Sequence, residues 1–526
     1  MCLARALSVG LQGVQGHLVE IEAHIGRGLP RTVLVGLPDA SLTEARDRCK
    51  AAVANSGLSW PNHLLTIALS PAELPKKGAH FDLGIALAVL AAADQVAEHT
   101  VDRVVVLGEL ALDGRLRAVP GVLPAVLAAS EAGVARVIVP EPNAEEARLV
   151  SGIQVLGVRS LAQVVALLRG EEPPEAPPVA PLPRETRLLG SGEERTVGVD
   201  LADVVGQPEA RRTVEVAAAG RHHVLLDGPP GAGKTMLAER MPGLMPDLSE
   251  QEALEVTAVH SVAGVLPPEV PLITRPPFLD PHHTASTASI IGGGSRVIRP
   301  GSVSLAHRGV LFLDEAPEFN SDVLEALRQP LEDGEIVIGR AERGSRFPAR
   351  FVLVLAANPC PCGGLTVKGD MCQCTPVSLR RYRDRISGPI RDRIDLQRTV
   401  RPVTARAMRA DLEAAESSAT VADRVAEAVD RQRRRLGGTA WGRNGEVPGP
   451  DLRRSFPPRP AATRILEDAV GRGKLTARGA DRVLRVAWTL ADLAGRDRPC
   501  VDEVSEAFLL RTSAALPGRL GVGEAS

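Results

Sequence analysis

The feature that most constrains this chain is Gly228-Pro229-Pro230-Gly231-Ala232-Gly233-Lys234-Thr235. It fits G-x-x-x-x-G-K-[ST] and has the flanks that pattern needs: the apolar run Val224-Leu225-Leu226 before it and the helix-forming Met236-Leu237-Ala238-Glu239-Arg240 after it. In such a strand–loop–helix unit the backbone N–H groups converge on phosphate oxygens and the helix N-terminus adds a favourable dipole. Lys234 reaches the β/γ phosphates, and the Thr235 hydroxyl ligates Mg²⁺. The competing reading is a chance glycine-rich turn. A chain with only six lysines seldom offers one in this context.

Downstream, Gly309-Val310-Leu311-Phe312-Leu313-Asp314-Glu315 puts two carboxylates at the end of an apolar strand. Paired with the phosphate loop, Asp314 is suited to the Mg²⁺ shell and Glu315 to polarising an attacking water. Alone, such a pair would read as a solvated strand end. A third apolar run, Phe351 to Ala357, ends in Asn358, a neutral group able to orient that water. Isolated strand-end asparagines are usually turn formers, so its reading depends on the order of the three elements.

At roughly 100 to 200 residues per domain, 526 residues imply about three domains. The boundary between the first two falls in Glu171 to Glu185, EEPPEAPPVAPLPRE, where prolines fix φ and remove backbone donors. Before it, strand-like runs (32–35, 64–69, 104–107, 137–139) alternate with helical ones (42–56, 83–93, 122–132), the pattern of an α/β domain. After it, runs at 224–226, 310–313 and 351–356 separated by helices imply a parallel sheet. From about Thr404 the periodicity is helical, at 405–415, 421–435, 461–471 and 478–493. Lys plus Arg number 62 against 64 Asp plus Glu, so any contact with nucleic acid has to come from local basic surfaces. No run approaches the ~18 apolar residues of a membrane span, and Met1-Cys2-Leu3-Ala4-Arg5 opens no signal-peptide core. A cytoplasmic protein is expected, with no membrane partner.

Four of the seven cysteines, Cys360, Cys362, Cys372 and Cys374, crowd into one Gly-rich segment. Four thiolates suit a structural tetrahedral Zn²⁺, with reduced free thiols as the alternative. Residues 334–347 read as a hairpin whose tip carries Arg340, Arg343 and Arg346, able to track a phosphate backbone or simply to form a solvated charged turn. Arg431-Gln432-Arg433-Arg434-Arg435 closes a helix, where cations also favour the macrodipole, so a structural and a nucleic-acid role stand equal. With 2% aromatic residues the chain has few platforms for base stacking, which argues against sequence-specific recognition of single strands.

Taken together, Val204-Val205-Gly206-Gln207, GPPGAGKT, FLDPHHTASTASIIGGGSRVIRPGSVSLAHRGVLFLDEAPEF and AANPCPCGG resemble the Mg-chelatase-like AAA+ ATPases of the ComM/YifB branch. Pro281-His282-His283-Thr284, Gly292-Gly293-Gly294 and Ser304-Leu305-Ala306-His307 are the most distinctive parts. The resemblance implies an α/β fold. An AAA+ P-loop core (199–400) would carry a helical C-terminal lid (401–526) and follow a Pro-rich linker (171–198). The N-terminal domain (1–170) is similar to the Lon-protease-like, ribosomal-S5-type fold. The resemblance also implies that Asp314 and Glu315 form the Walker B pair, that Asn358 is sensor 1, and that Val205 and Gln207 lie near the adenine. Arg393, preferred over Arg391, resembles the arginine finger that reaches a neighbour's γ-phosphate, and Arg478 the sensor 2 arginine; both suit phosphate because a guanidinium stays charged and offers a rigid fork.

A finger acting on a neighbour implies a ring of like subunits, usually a hexamer, using ATP and Mg²⁺. The 334–347 hairpin would then point into the pore, and His282 and His283 would face it as DNA contacts, with zinc ligands or hydrogen-bonded turn residues as the alternatives for the two histidines. The N-terminal match covers Thr43 to Arg48, Leu74-Pro75-Lys76-Lys77-Gly78-Ala79-His80-Phe81-Asp82, and Leu110 to Leu123. A peptidase of that type needs a Ser–Lys dyad, yet the corresponding segments offer Ala79, His80, Phe81 and Leu123, so proteolysis is not expected. The expected activity is ATP-driven DNA remodelling by a branch-migration helicase in recombination or natural transformation. The alternatives are a chelatase-type motor subunit and a protein-remodelling ATPase acting on a partner.

Overall fold

The computed structural model describes residues 2–35, 40–74, 76, 78–178, 193–267, 270–294, 298–339, 344–365, 372–412 and 414–512. The first sheet has seven strands in the order Arg31–Val35, Leu64–Ser70, Gln15–Gly26, Cys2–Gln12, Val104–Val106, Arg136–Pro140, Gln154–Val158. Its spine is the antiparallel pair Cys2–Gln12 and Gln15–Gly26, paired from Cys2↔Ile25 to Gln12↔Gln15. Alternate residues Val19, Ile21 and Ala23 of the second strand are fully buried, as a pleated strand with one face on a core requires. Against this face lies the helix Asp82–Ala92, every residue of which is buried. Burial pushes the Asp82 carboxyl up to about 6, although the Arg48 guanidinium grips it at 2.9 and 3.1 Å.

The second sheet is wholly parallel, in the order Phe278–Leu279, Val310–Leu313, Val352–Ala357, Val224–Asp227, Leu396–Thr399. Its central strands read as unbroken apolar runs because both faces are covered: Val310–Leu313 and Val352–Ala357 are buried throughout. Helices Pro208–Gly220, Ser418–Leu436, Pro460–Gly471, Ala477–Leu493 and Val501–Thr512 share a core with one side of this sheet. The protein is therefore an α/β P-loop fold of AAA+ type followed by a helical C-terminal region. In that region Arg435 stacks 4.1 Å from the Trp488 ring centre and meets the buried Asp492 at 2.7 Å, while Arg431 donates to the Asp492 carbonyl. Gln432 is buried and donates to the Ala219 carbonyl. The helix-end basic cluster thus supplies packing at three of its five positions.

Among the described residues the N-terminal sheet is docked on the P-loop core at two places. Gly121 N–H donates to the Ser261 carbonyl at 3.0 Å, and the buried Glu146 carboxylate accepts from both Leu123 N–H and the Ser261 hydroxyl. The turn after the first strand meets the 334–347 segment, which forms a hairpin of Glu335–Ile338 with Ser345–Pro348. There Gln12 donates to the Gly344 carbonyl at 3.2 Å, and a Cβ on Gly13 would stand 2.2 Å from the Arg346 carbonyl oxygen. At the start of the acidic strand, His307 is buried, accepting the Arg350 N–H through Nδ1 and facing Glu255 at 3.2 Å through Nε2. Burial holds its pKa down at about 4, and the His307 hydrogen bond holds the Glu255 carboxyl at about 2. Among the described residues no helix is long and apolar enough to cross a membrane.

Candidate nucleotide site

The phosphate loop leaves the strand Val224–Asp227 and enters the helix Lys234–Arg240 through Gly233, whose φ of 93° is closed to most side chains. Gly228 passes so close to the edge strand that a Cβ there would lie 2.2 Å from the Val400 carbonyl oxygen. Lys234 is buried, and its ammonium donates to the carbonyls of Gly228 (2.7 Å) and Pro229 (3.0 Å) and to Oδ1 of Asn358 (3.0 Å). Burial lowers its pKa, opposed by the charges of Asp314, Asp227 and Glu315. The Thr235 hydroxyl donates to Asp314 Oδ2 at 2.9 Å, and Asp314 Oδ1 accepts the Glu315 N–H at 2.9 Å. Parallel pairing makes this convergence: the three strands carrying Lys234, Asp314 and Asn358 are adjacent and end at the same edge of the sheet. Glu315 itself sits at φ 50°, a left-handed turn that swings its carboxylate off the strand axis.

Backbone donors at a helix N-terminus, a lysine, and two hard oxygen donors side by side fit a nucleotide phosphate chain with Mg²⁺. Gln207 lies against the loop, donating to the Ala232 carbonyl at 2.5 Å and to the Arg401 carbonyl at 3.4 Å, with Val205 half-buried two residues before it.

The two candidate arginines are placed elsewhere. Edge strand Leu396–Thr399 runs parallel to Val224–Asp227 from Val224↔Leu396 to Asp227↔Thr399, so Arg393 precedes one edge of the sheet and the phosphate loop follows the other. Four residues of strand separate them, about 13 Å. Arg393 is buried, donating to the Pro389 carbonyl and paired with Glu332. Arg478 is 79% exposed and pairs with Asp392 at 3.8 Å, next to Arg393. Arg391 instead shares a cleft with Asp227 and Asn358 of its own chain and donates to the carbonyls of Ile386 and Arg383.

A neighbour of the site that sequence reasoning assigned to a pore is His283. Its Nδ1 lies 3.5 Å from Glu315 Oε2, with its ring 4.1 Å from that of His282 and edge-on to Phe319. The parallel pairing of Phe278–Leu279 with Val310–Leu311 brings the 281–284 turn to the acidic strand end. Arg346 of the hairpin is exposed and pairs with Glu335 at 2.6 Å. Arg340 and Arg343 lie outside the described residues, as do Pro75 and Lys77 of the N-terminal motif. In that motif His80 Nε2 is buried with no hydrogen-bond partner among the described residues, and Leu123 is fully buried. The four clustered cysteines do come together, their sulfurs all within 4.8 Å of one another.

Fold and site define an AAA+-type P-loop ATPase. The family model described as "Magnesium chelatase, subunit ChlI" matches residues 200–408, that of "Subunit ChlI of Mg-chelatase" residues 21–143, and that of "Magnesium chelatase, subunit ChlI C-terminal" residues 415–511. With the relatives that follow, these matches place the chain in the ComM/YifB family of Mg-chelatase-like AAA+ ATPases. An uncharacterized protein of Mycobacterium tuberculosis is 52% identical over 98% of this chain and all of its own length. Competence protein ComM of Haemophilus influenzae is 39% identical over 99% of both chains, and the uncharacterized protein YifB of Escherichia coli 40% identical over 95% of both. The magnesium-chelatase 38 kDa subunit of Rhodobacter capsulatus is 28% identical over 30% of this chain and 49% of its own length.

Proposed function

We propose that the chain assembles into a homo-oligomeric ring, a hexamer by its family, in which ATP hydrolysis remodels DNA as in branch migration. The observation that carries the ring is the division of the site: Lys234, Thr235, Asp314 and Asn358 meet at one edge of the sheet, whereas Arg393 and Arg478 belong to the other. An arginine on that side reaches phosphate only on another copy, where release from Glu332 would free it.

ATP with Mg²⁺ supplies the phosphoanhydride to be cleaved and the charge that neutralises it. Gly228 to Gly233 and Lys234 hold the phosphates, Thr235 and Asp314 present oxygens to the metal, Asn358 orients the water, and Glu315 takes its proton. Val205 and Gln207 border the base.

The DNA reading is supported by full-length similarity to a protein named for competence and by the hairpin that carries Arg346. Proteolysis is outside this reading, because the segment that would need a serine offers Ala79, His80 and Phe81 and the one that would need a lysine offers Leu123. The matching chelatase family models favour a second reading, a motor subunit acting on a partner enzyme.

Steady-state ATP hydrolysis without DNA and with single strands, duplex or a four-way junction separates the two, with Glu315→Gln as background. Stimulation by the junction or single strands supports the remodelling motor. An assembled, ATP-hydrolysing ring indifferent to all three overturns it in favour of a protein partner.

A further inference from the structure

Cys360 follows Asn358 by two residues, so the cysteine segment begins where the strand Val352–Ala357 delivers its terminal amide to Lys234. The sulfurs of Cys360 and Cys362 are 3.4 Å apart, those of Cys362 and Cys372 3.7 Å, and those of Cys372 and Cys360 3.7 Å. None of the four is in a disulfide. A tetrahedron with Zn–S bonds of about 2.3 Å has S···S edges of roughly 3.8 Å, close to these separations. Cys360 is buried and its sulfur accepts the Leu365 N–H at 3.3 Å, the kind of outer hydrogen bond that fixes a ligand's orientation. Four sulfur ligands leave no open position, so such a metal would organise structure and not react.

Both ends of the segment are tied to the nucleotide site. Between the paired cysteines, Gly363 turns with φ +71°, and its α-carbon backs onto the phosphate loop: a Cβ there would stand 2.8 Å from Cγ of Pro230. After Cys374, Thr375 caps the helix Pro376–Asp384, whose buried Tyr382 shares a cleft with Asn358.

We propose that Cys360, Cys362, Cys372 and Cys374 bind one Zn²⁺ as a closed tetrathiolate centre that clamps the Asn358 strand end and the Gly363 turn onto the phosphate loop, tuning nucleotide affinity. The coupling rests on the assignment of 228–235 as the nucleotide site; the metal centre does not. Binding releases thiol protons to solvent and involves no redox change.

The test uses the full-length protein purified without chelator. Metal analysis is expected to give one zinc per chain, and growth with cobalt a protein showing the d–d and sulfur-to-metal absorption of tetrahedral thiolate cobalt. Cys362→Ser/Cys374→Ser, which spares the buried Cys360, should lose the metal and bind a fluorescent ATP analogue more weakly, on the order of tenfold. Gly363→Ala should keep the zinc and weaken ATP binding alone. Should the serine variant misfold by circular dichroism, stripping the parent with chelator and restoring zinc replaces it, with affinity expected to fall and recover. Reduced, folded protein without zinc overturns the metal centre. Stoichiometric zinc with unchanged affinity on its removal, or in Gly363→Ala, overturns the clamp. A zinc-loaded parent that binds no ATP at all would instead sink the nucleotide assignment and leave the centre standing.

Discussion

Nδ1 of His283 stands 3.5 Å from Oε2 of Glu315, linking a turn far back in the chain to the end of the acidic strand. A positioned imidazole restricts where the carboxylate points, and a proton acceptor works only within hydrogen-bond reach of its water. His283→Ala should lower kcat on the order of tenfold while KM for ATP changes little, whereas Glu315→Gln should lower kcat by roughly 10²- to 10⁴-fold with ATP binding kept. Equal losses in kcat and ATP affinity for His283→Ala would mark a merely structural contact.

Arg393→Ala should reduce hydrolysis by roughly 10³- to 10⁵-fold, the range removed with an arginine that stabilises phosphoryl transfer. Lys234→Ala should abolish it from the other half of the site. Mixed Arg393→Ala and Lys234→Ala subunits should regain part of the activity, since an intact Lys234 then faces an intact Arg393. Arg391→Ala serves as the comparison, and rescue by mixing with that variant instead would transfer the role.

Gly228→Ala brings a methyl group to 2.2 Å from the Val400 carbonyl oxygen, backbone against backbone. The phosphate loop or the edge strand has to move, at about 1–3 kcal/mol in stability. A lowered thermal midpoint together with lost ATP binding is the expected result, read by differential scanning fluorimetry with and without nucleotide.

Replacing Arg340, Arg343 and Arg346 with alanine should weaken single-stranded DNA binding equally for all sequences. The slope of log affinity against log salt should become shallower by about 0.7 for each phosphate that the hairpin no longer neutralises. An unchanged slope would remove the hairpin from the DNA path.

Stability should decline in mild acid through His307. Its folded pKa of about 4 lies below the ordinary histidine value, so between pH 6.5 and 4 the unfolded chain binds a proton that the folded chain refuses. The stabilisation is complete above pH 6.5 and is lost as pH falls towards 4, with Glu255 adding a further loss between its ordinary range and about 2. From pH 7 to 5.5 the His307 share is on the order of 1 kcal/mol. Urea midpoints should show this decline flattened in His307→Gln.

Much of the fold is legible in the sequence because it depends on local pattern. The apolar strands at 224–226 and 310–313 and the amphipathic helix at 478–493 lie within a residue or so of their observed bounds. The two longest strands among the described residues, Cys2–Gln12 and Gln15–Gly26, are absent from that reading: the Ala- and Leu-rich first one carries little strand propensity and is held by eleven residue pairs, whereas the second shows the period-2 alternation Val19-Glu20-Ile21-Glu22-Ala23-His24-Ile25, a local signal that would have revealed it. Leu396–Thr399 is absent too, having only one fully buried residue, Leu396. Residue type identifies Lys234, Asp314 and Asn358, but the side of the sheet holding Arg393 and the approach of His283 to Glu315 come from strand order, which no local pattern encodes.

The meeting of Gln12 and Gly13 with Gly344 and Arg346 has a mechanical meaning. Gly13 is wedged against the backbone of the hairpin arm, and eleven residue pairs of the long antiparallel ladder run directly behind it. In the proposed ring, a hairpin that moved with each round of hydrolysis would push on this strand pair, and the N-terminal sheet would bear the load of the step.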